Sequence, residues 1–321
     1  MKKFFENAKY DFISARRKAY TFSMAWCAIG LVMALFWQFG RGSWLRYGVD
    51  FAGGALIQIE FAQPVPIGDV RSLLEGQFAG TEIYDVRGTN EFMIRAPQAE
   101  QTTSSVDAIA AALRARFGDN SFTVLSAEFV GPKVGGELRW RAALAILVSF
   151  AATLIYLAIR FEWRFGMAAI IATVHDIALT LALVTVAQLE VELTMVAAFL
   201  TIVGYSLNDK IVVFDRVREN LKHAGRHETF VDLLNRSINE TLPRTVLTGG
   251  ATIGTLASLF IFGGSTIREF SFIMILGILL GTYSSIYISA PVLLAIERRW
   301  PGERKKARVT RQPAAKATVP T

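Results

Sequence analysis

The chain has 321 residues, 52% of them hydrophobic, yet it carries a formal charge of +7. Such an apolar chain is not an ordinary soluble domain, and its basic excess fits segments lying against an anionic membrane leaflet. Lys and Arg cluster just outside apolar runs with no interleaved aromatic groove, which argues against a nucleic-acid partner. The single cysteine, Cys27, sits mid-run, and His175, His223 and His227 fit no metal-ligand spacing, so neither a disulfide, a metal nor a cofactor is expected.

In chain order, Lys2, Lys3, Lys9, Arg16, Arg17 and Lys18 precede an uncharged run over 19–40. It is long enough for a hydrocarbon core of ~30 Å. A secretory signal core is shorter and ends in small residues, whereas this run ends Phe36-Trp37-Gln38-Phe39, so an uncleaved first span is predicted. Residues 41–138 form a polar block with eight basic and twelve acidic residues over 41–137. Alternation over 55–61 predicts a strand, and Val70, Leu73, Leu74 and Phe78 mark one face of a helix over 66–78. Segments 82–87 and 91–95 flank the hairpin signal Gly88-Thr89-Asn90, a second amphipathic helix covers 106–117, and a last strand covers 122–130. That order is the ferredoxin-like pattern.

Five further spans are predicted at 139–159, 165–187, 193–214, 245–263 and 270–296, with a charged segment over 215–244 and a basic tail, taken as disordered, over 297–321. The fold class is therefore a polytopic α-helical membrane protein of six spans with one external α/β domain. Basic residues crowd the N-terminus, the 160–164 turn, the 215–244 segment and the tail. The positive-inside rule then places both termini in the cytoplasm and the α/β block outside.

Most span interiors lack charge, so the exceptions carry the chemistry. His175 and Asp176 lie mid-span in the third. Asn208, Asp209 and Lys210 lie in the cytoplasmic half of the fourth, and Arg244 opens the fifth. An ionisable group within lipid costs a few kcal/mol or more and normally faces a partner or a wet cavity. Asp209 and Arg244 stand at one level, so a pair is expected whose protonation makes a switch. Two readings stay open: a proton-linked switch, and a static bridge that pins helix packing, with Lys210 able to neutralise Asp209 locally. His175-Asp176 has its own bland reading as a hydrogen-bonded spot between helices. Gly250/Gly254 and Gly277/Gly281 have the four-residue spacing of close helix approach. Asp215, Arg216, Arg218 and Glu219 read as a solvated helix end, or else a docking site, and Gly53-Gly54 as a sharp entry into the first strand.

Together these segments resemble the SecF family. Gly48 to Gly54 (GVDFAGG, with Asp50, Phe51, Gly53 and Gly54) resembles its motif at the entrance to the external domain, and Val174 to Asp176 its third-span motif. Gly204 to Asn220 (GYSLNDKIVVFDRVREN) resembles its most characteristic stretch, and Thr241 to Thr245 and Phe262 to Gly264 the two ends of its fifth span. The resemblance implies an RND-related fold in the bacterial inner membrane and association with SecD, YajC and the SecYEG channel. It implies a subunit without an enzymatic site, which uses the proton motive force after SecA-driven pushing to draw translocating unfolded chains outward. Asp209 and Arg244 match its proton-linked positions and Asp176 its polar third-span position, so the expected proton-linked site is Asp209, Arg244, Asp176 and His175; Lys210 stands where the family more often has Ser or Thr. A non-transducing scaffold of the channel and an RND-type solute exporter are the alternatives.

Overall fold

The computed structural model describes residues 9–78, 80–85, 89–96, 104–225 and 227–301. The first long helix, α1 (Arg16–Arg41), stops at Gly42, whose left-handed φ of 76° lets its N–H return to the Gln38 carbonyl. Next come β1 (Arg46–Tyr47), the one-turn α2 (Val49–Ala52), β2 (Gly54–Phe61), α3 (Ile67–Gln77), β3 (Glu82–Asp85), β4 (Glu91–Ala96), α4 (Ser104–Phe117) and β5 (Phe122–Val130). Gly53 and Gly54 turn α2 into β2 with φ of 79° and 128°, values that side-chain-bearing residues rarely adopt.

The strands form one antiparallel sheet in the order β3-β4-β2-β5, the ferredoxin-like arrangement. Alternation places Ala55, Ile57, Ile59 and Phe61 on one face of β2, where they pack with Val70 and Leu74 of α3 and Ile109 and Leu113 of α4. Gly88 of the hairpin signal lies outside the described residues, but the strands it joins pair in register from Asp85–Phe92 to Glu82–Arg95.

The helical bundle follows: α5 (Pro132–Arg160), α6 (Trp163–Ala187), the short β6 (Glu190–Val191), α7 (Leu193–His223), α8 (Phe230–Phe262) and α9 (Ser265–Ser284). A π-helical turn (Ser285–Ser289) then leads into α10 (Ala290–Arg299). Among the described residues, six helical stretches are long and apolar enough to cross a membrane. Their apolar residues sort by position. Leu31, Val32, Phe36, Leu147, Ile155, Ile159, Leu247 and Ile261 are exposed on α1, α5 and α8, whereas α6 is lined with buried alanines. An exposed apolar belt is what lipid contact requires.

Three features differ from the sequence expectation. The 215–244 segment is not a separate piece: α7 runs on to His223, and α8 starts at Phe230 behind a Thr229–Asp232 capping box and carries Pro243 inside it. Pro243 reads from sequence as a helix start because proline favours the first turn, but here packing on both sides holds the helix through it. Secondly, Gly277 and Gly281 do bring helices together, since a methyl group there would collide with Ile202 and Ser206 of α7. Gly250 and Gly254 do not: they face outward, and among the described residues nothing lies within 4 Å of where their side chains would begin. Thirdly, the stretch ahead of α1 is folded onto α8. Asn239 accepts from the Tyr10 N–H at 3.0 Å and donates to its carbonyl at 2.9 Å, and Asn235 accepts from the Ile13 N–H at 3.1 Å. Residues 1–8 and the 302–321 part of the basic tail lie outside the described residues.

Candidate functional site

The ionisable groups of the bundle meet where α6, α7, α8 and the π turn converge. Ser206 and Lys210 are four residues apart on α7 and so share one face, which α6 covers. Lys210 is fully buried, and its Nζ donates to Asp176 Oδ2 at 2.5 Å. Ser206 donates to the same oxygen at 2.5 Å and also accepts from Lys210. The close approach at Gly281 presses α9 against Ser206.

Asp209 points elsewhere. Successive helical residues are separated by about 100° around the axis, so Lys210 facing α6 turns Asp209 toward α8. There Thr245 donates to Asp209 Oδ1 at 2.8 Å. Asp209 Oδ2 is buried with no hydrogen-bond partner among the described residues: the Ser285 hydroxyl of the π turn lies near the carboxylate but donates to the Gly281 carbonyl. A buried carboxylate oxygen without a donor is costly, and protonation or a bound cation relieves it.

The expected Asp209–Arg244 ion pair is not formed. Thr245 occupies the inward position of α8, so its neighbour Arg244 is swung out and exposed, with no ion pair among the described residues. Nor does Lys210 neutralise Asp209 in direct contact, because its ammonium is engaged by Asp176 on the other face. Asn208 is likewise exposed on the outer side of α7.

His175 joins the site through Asp176: its Nδ1 lies 3.2 Å from Asp176 Oδ1, and its Nε2 lies 2.8 Å from Ser23 Oγ on α1. The sequence marks Ser206 only as the start of the polar stretch 206–210 of the fourth span, while Ser23 carries no local signal.

The remaining motif residues tie α7 to α5 and α8. Asp215 pairs with Arg160 at 2.7 Å and Arg218 at 3.4 Å, while Arg216 bridges Glu219 and Glu240, each at 2.7 Å. Asn220 donates to Ser237 at 3.0 Å and Glu240 at 2.7 Å and accepts from Arg236 at 3.2 Å.

At the opposite end of the bundle, the glycine motif ties the α/β domain to α7. β1 pairs with β6, and Asp50 Oδ2 accepts the Leu193 N–H at 2.9 Å, which satisfies a free donor at the start of α7. Arg46 lies between Glu82 and Glu190, at 2.8 Å and 2.9 Å. Phe51 is buried beneath this junction. Beside it, burial first and then the neighbouring charges of Asp50, Glu190, Glu269 and Glu128 push the Glu192 carboxyl up to about 7.

The chain matches two family models: the C-terminal domain of the protein export membrane proteins SecD and SecF over residues 109–299, and the SecD/SecF GG motif over residues 42–65. It is 44% identical over 310 residues to the protein translocase subunit SecF of Gemmatimonas aurantiaca, covering 94% of this chain and 91% of that protein. Against the SecF subunit of Vibrio alginolyticus the identity is 38% over 281 residues, covering 85% and 89%. The crystal structure of SecDF, a translocon-associated membrane protein from Thermus thermophilus, superposes with a TM-score of 0.79 at 35% identity. That match covers 91% of this chain but only 39% of the SecDF chain. The chain belongs to the SecF family of protein translocase subunits.

Proposed function

We propose that this chain couples the proton motive force to late-stage movement of exported proteins, acting with SecD beside the SecYEG channel, with YajC, and after SecA has pushed. The observation that carries the reading is Asp209 Oδ2, a buried carboxylate oxygen without a donor, one residue from a fully buried lysine–aspartate pair. A proton arriving at Asp209 removes a charge that the bundle otherwise leaves half-satisfied, and Asp209 is fixed to α8 through Thr245. The packing of α7 against α8 therefore depends on the state of that one group. One charge crossing 100 mV supplies ~2.3 kcal/mol, the size of ordinary coupling free energies.

The chain would sit in the bacterial inner membrane with both termini cytoplasmic, as the basic residues beside its spans favour. It would work without an enzymatic site. Arg244 supports a membrane partner: an exposed guanidinium at the level of an intramembrane carboxylate calls for an acidic group from outside the chain. Asn208 and the unpacked Gly250 and Gly254 are exposed on α7 and α8 as well. SecD covering these helices would satisfy Arg244. A second reading, the scaffold, is favoured by the full satisfaction of the Lys210–Asp176–Ser206 triad, which needs no change of state to be stable.

The test is Asp209→Asn in the assembled complex. Coupling requires that the ATP-independent stage of export lose its response to an imposed proton gradient while the complex still assembles. An unchanged response leaves the scaffold.

A further inference from the structure

A hydrogen-bonded chain leads from the buried ion pair to α1. The Tyr283 hydroxyl donates to the Ala19 carbonyl at 2.8 Å and lies 3.1 Å from Ser23 Oγ, which in turn lies 2.8 Å from His175 Nε2. His175 Nδ1 is 3.2 Å from Asp176 Oδ1. Its protons can be counted. Tyrosine has one hydroxyl proton, and the Ala19 carbonyl, which only accepts, takes it. Ser23 must then donate to Tyr283, which leaves Ser23 to accept from His175 Nε2–H. Asp176 receives Lys210 and Ser206 on its other oxygen, so it is a carboxylate and Oδ1 accepts from His175 Nδ1–H. If every contact in this chain is a hydrogen bond, both ring nitrogens donate, which only the imidazolium does.

We infer that His175 is a proton-carrying group of the bundle, and that Ser23 and Tyr283 are positioning residues that make the seating of α1 depend on its charge. The inference rests on the proton-coupled reading above. The acid–base step is one proton given by the His175 imidazolium to water and one taken back, with no other bond changed. When the proton leaves and the remaining one stays on Nδ1 facing Asp176, Nε2 becomes an acceptor. Ser23 must swing its proton to Nε2, and Ser23 and Tyr283 then present lone pairs to each other. Either that contact opens or Tyr283 releases the Ala19 carbonyl. Both outcomes loosen α1 from α9. Only Gly42 to Leu45 separate α1 from β1, the strand that ties the α/β domain to β6, so a change in α1 reaches the domain directly.

The groups facing His175 are few. Asp176 lies on its own helix, and Lys210 reaches it through Asp176 from α7. The Tyr283 ring lies 6.4 Å away, with Tyr287 beside it and Tyr20 of α1 packed in the same cluster.

The test uses the complex with its partner in lipid nanodiscs, with nitrogen-15-labelled histidine read by solid-state magnetic resonance. The His175 signal is assigned by its loss in His175→Asn. Both His175 nitrogens are expected to be protonated in the wild type at mildly acidic pH. Ser23→Ala or Tyr283→Phe should lower the doubly protonated fraction at fixed pH by about threefold or more. Spin labels on α1 and α9 should separate as pH rises in the wild type and stay insensitive to pH in Tyr283→Phe. A singly protonated His175 throughout, or the same fraction in the variants, overturns the inference. If Asp209→Asn leaves coupling intact while these signals behave as described, the proton-coupled reading fails and the His175 device stands alone.

Discussion

Lys210 Nζ lies 2.5 Å from Asp176 Oδ2, and neither side chain is more than 1% exposed. Two helices of the bundle, α6 and α7, thus carry opposite charges buried against each other. Removing one member leaves the other buried and unpaired, at a cost of about 3–5 kcal/mol, whereas replacing both by apolar groups of similar volume is often close to neutral. Asp176→Asn is therefore expected to lower the thermal stability of the purified chain sharply, and Asp176→Leu combined with Lys210→Met to restore most of it. Equal melting temperatures for the wild type and the single variant would contradict the pairing.

Thr245 and Arg244 are adjacent in sequence and opposite in role. Thr245→Val removes the hydrogen-bond donor to Asp209 Oδ1 and should cost about 1–3 kcal/mol, because a buried acceptor loses its partner. Arg244→Ala breaks no ion pair of the described residues and should change melting little, while co-purification with SecD weakens. The reverse pattern would restore the direct Asp209–Arg244 pair.

The α/β junction should respond to pH. Glu192 ionises in the fold only near about 7, against an ordinary value of 4.5, because burial and surrounding carboxylates disfavour its charge. The fold thus favours the protonated form. That contribution is complete below about 4.5 and is lost as pH rises through about 7. Amide exchange over 48–52 and at the start of α7 is expected to quicken across that window after correction for intrinsic exchange. Glu192→Gln should remove the trend.

Asn235 and Asn239 fasten the stretch that precedes α1. Phe12 and Ile13, which they hold in place, are buried against α7, α8 and α10 residues. Asn235→Ala combined with Asn239→Ala leaves three backbone groups of residues 10–13 without their partners. Cleavage at Arg16 or Arg17 by a trypsin-like protease should then rise at least several-fold, with little change elsewhere. Unchanged cleavage would mean that the apolar contacts of Phe12 and Ile13 suffice.

Much of this architecture was legible in the sequence because its causes are local. Apolar runs bounded by Lys and Arg mark the spans, and alternation in 55–61 with helical spacing at Val70 and Leu74 gives the α/β core. Pairings across the bundle were not legible. Asp209 looks closest to Arg244 when only depth along the helix is counted, but depth ignores rotation, and a 100° step sends Lys210 to α6 and Arg244 outward. Ser23 and Tyr283 are 260 residues apart and individually ordinary, so only the folded chain joins them. Pro243 misled because its usual place is a helix start, and the contacts that override this come from distant segments.

The most direct measurement is proton movement itself. The chain is reconstituted with SecD in vesicles enclosing a pH-sensitive dye, and a pH step is imposed across the membrane. Flux should be present in the wild type and fall to the empty-vesicle level in Asp209→Asn, with the complex still intact. Equal flux in the two would show that the buried carboxylate of α7 is not where protons enter the mechanism.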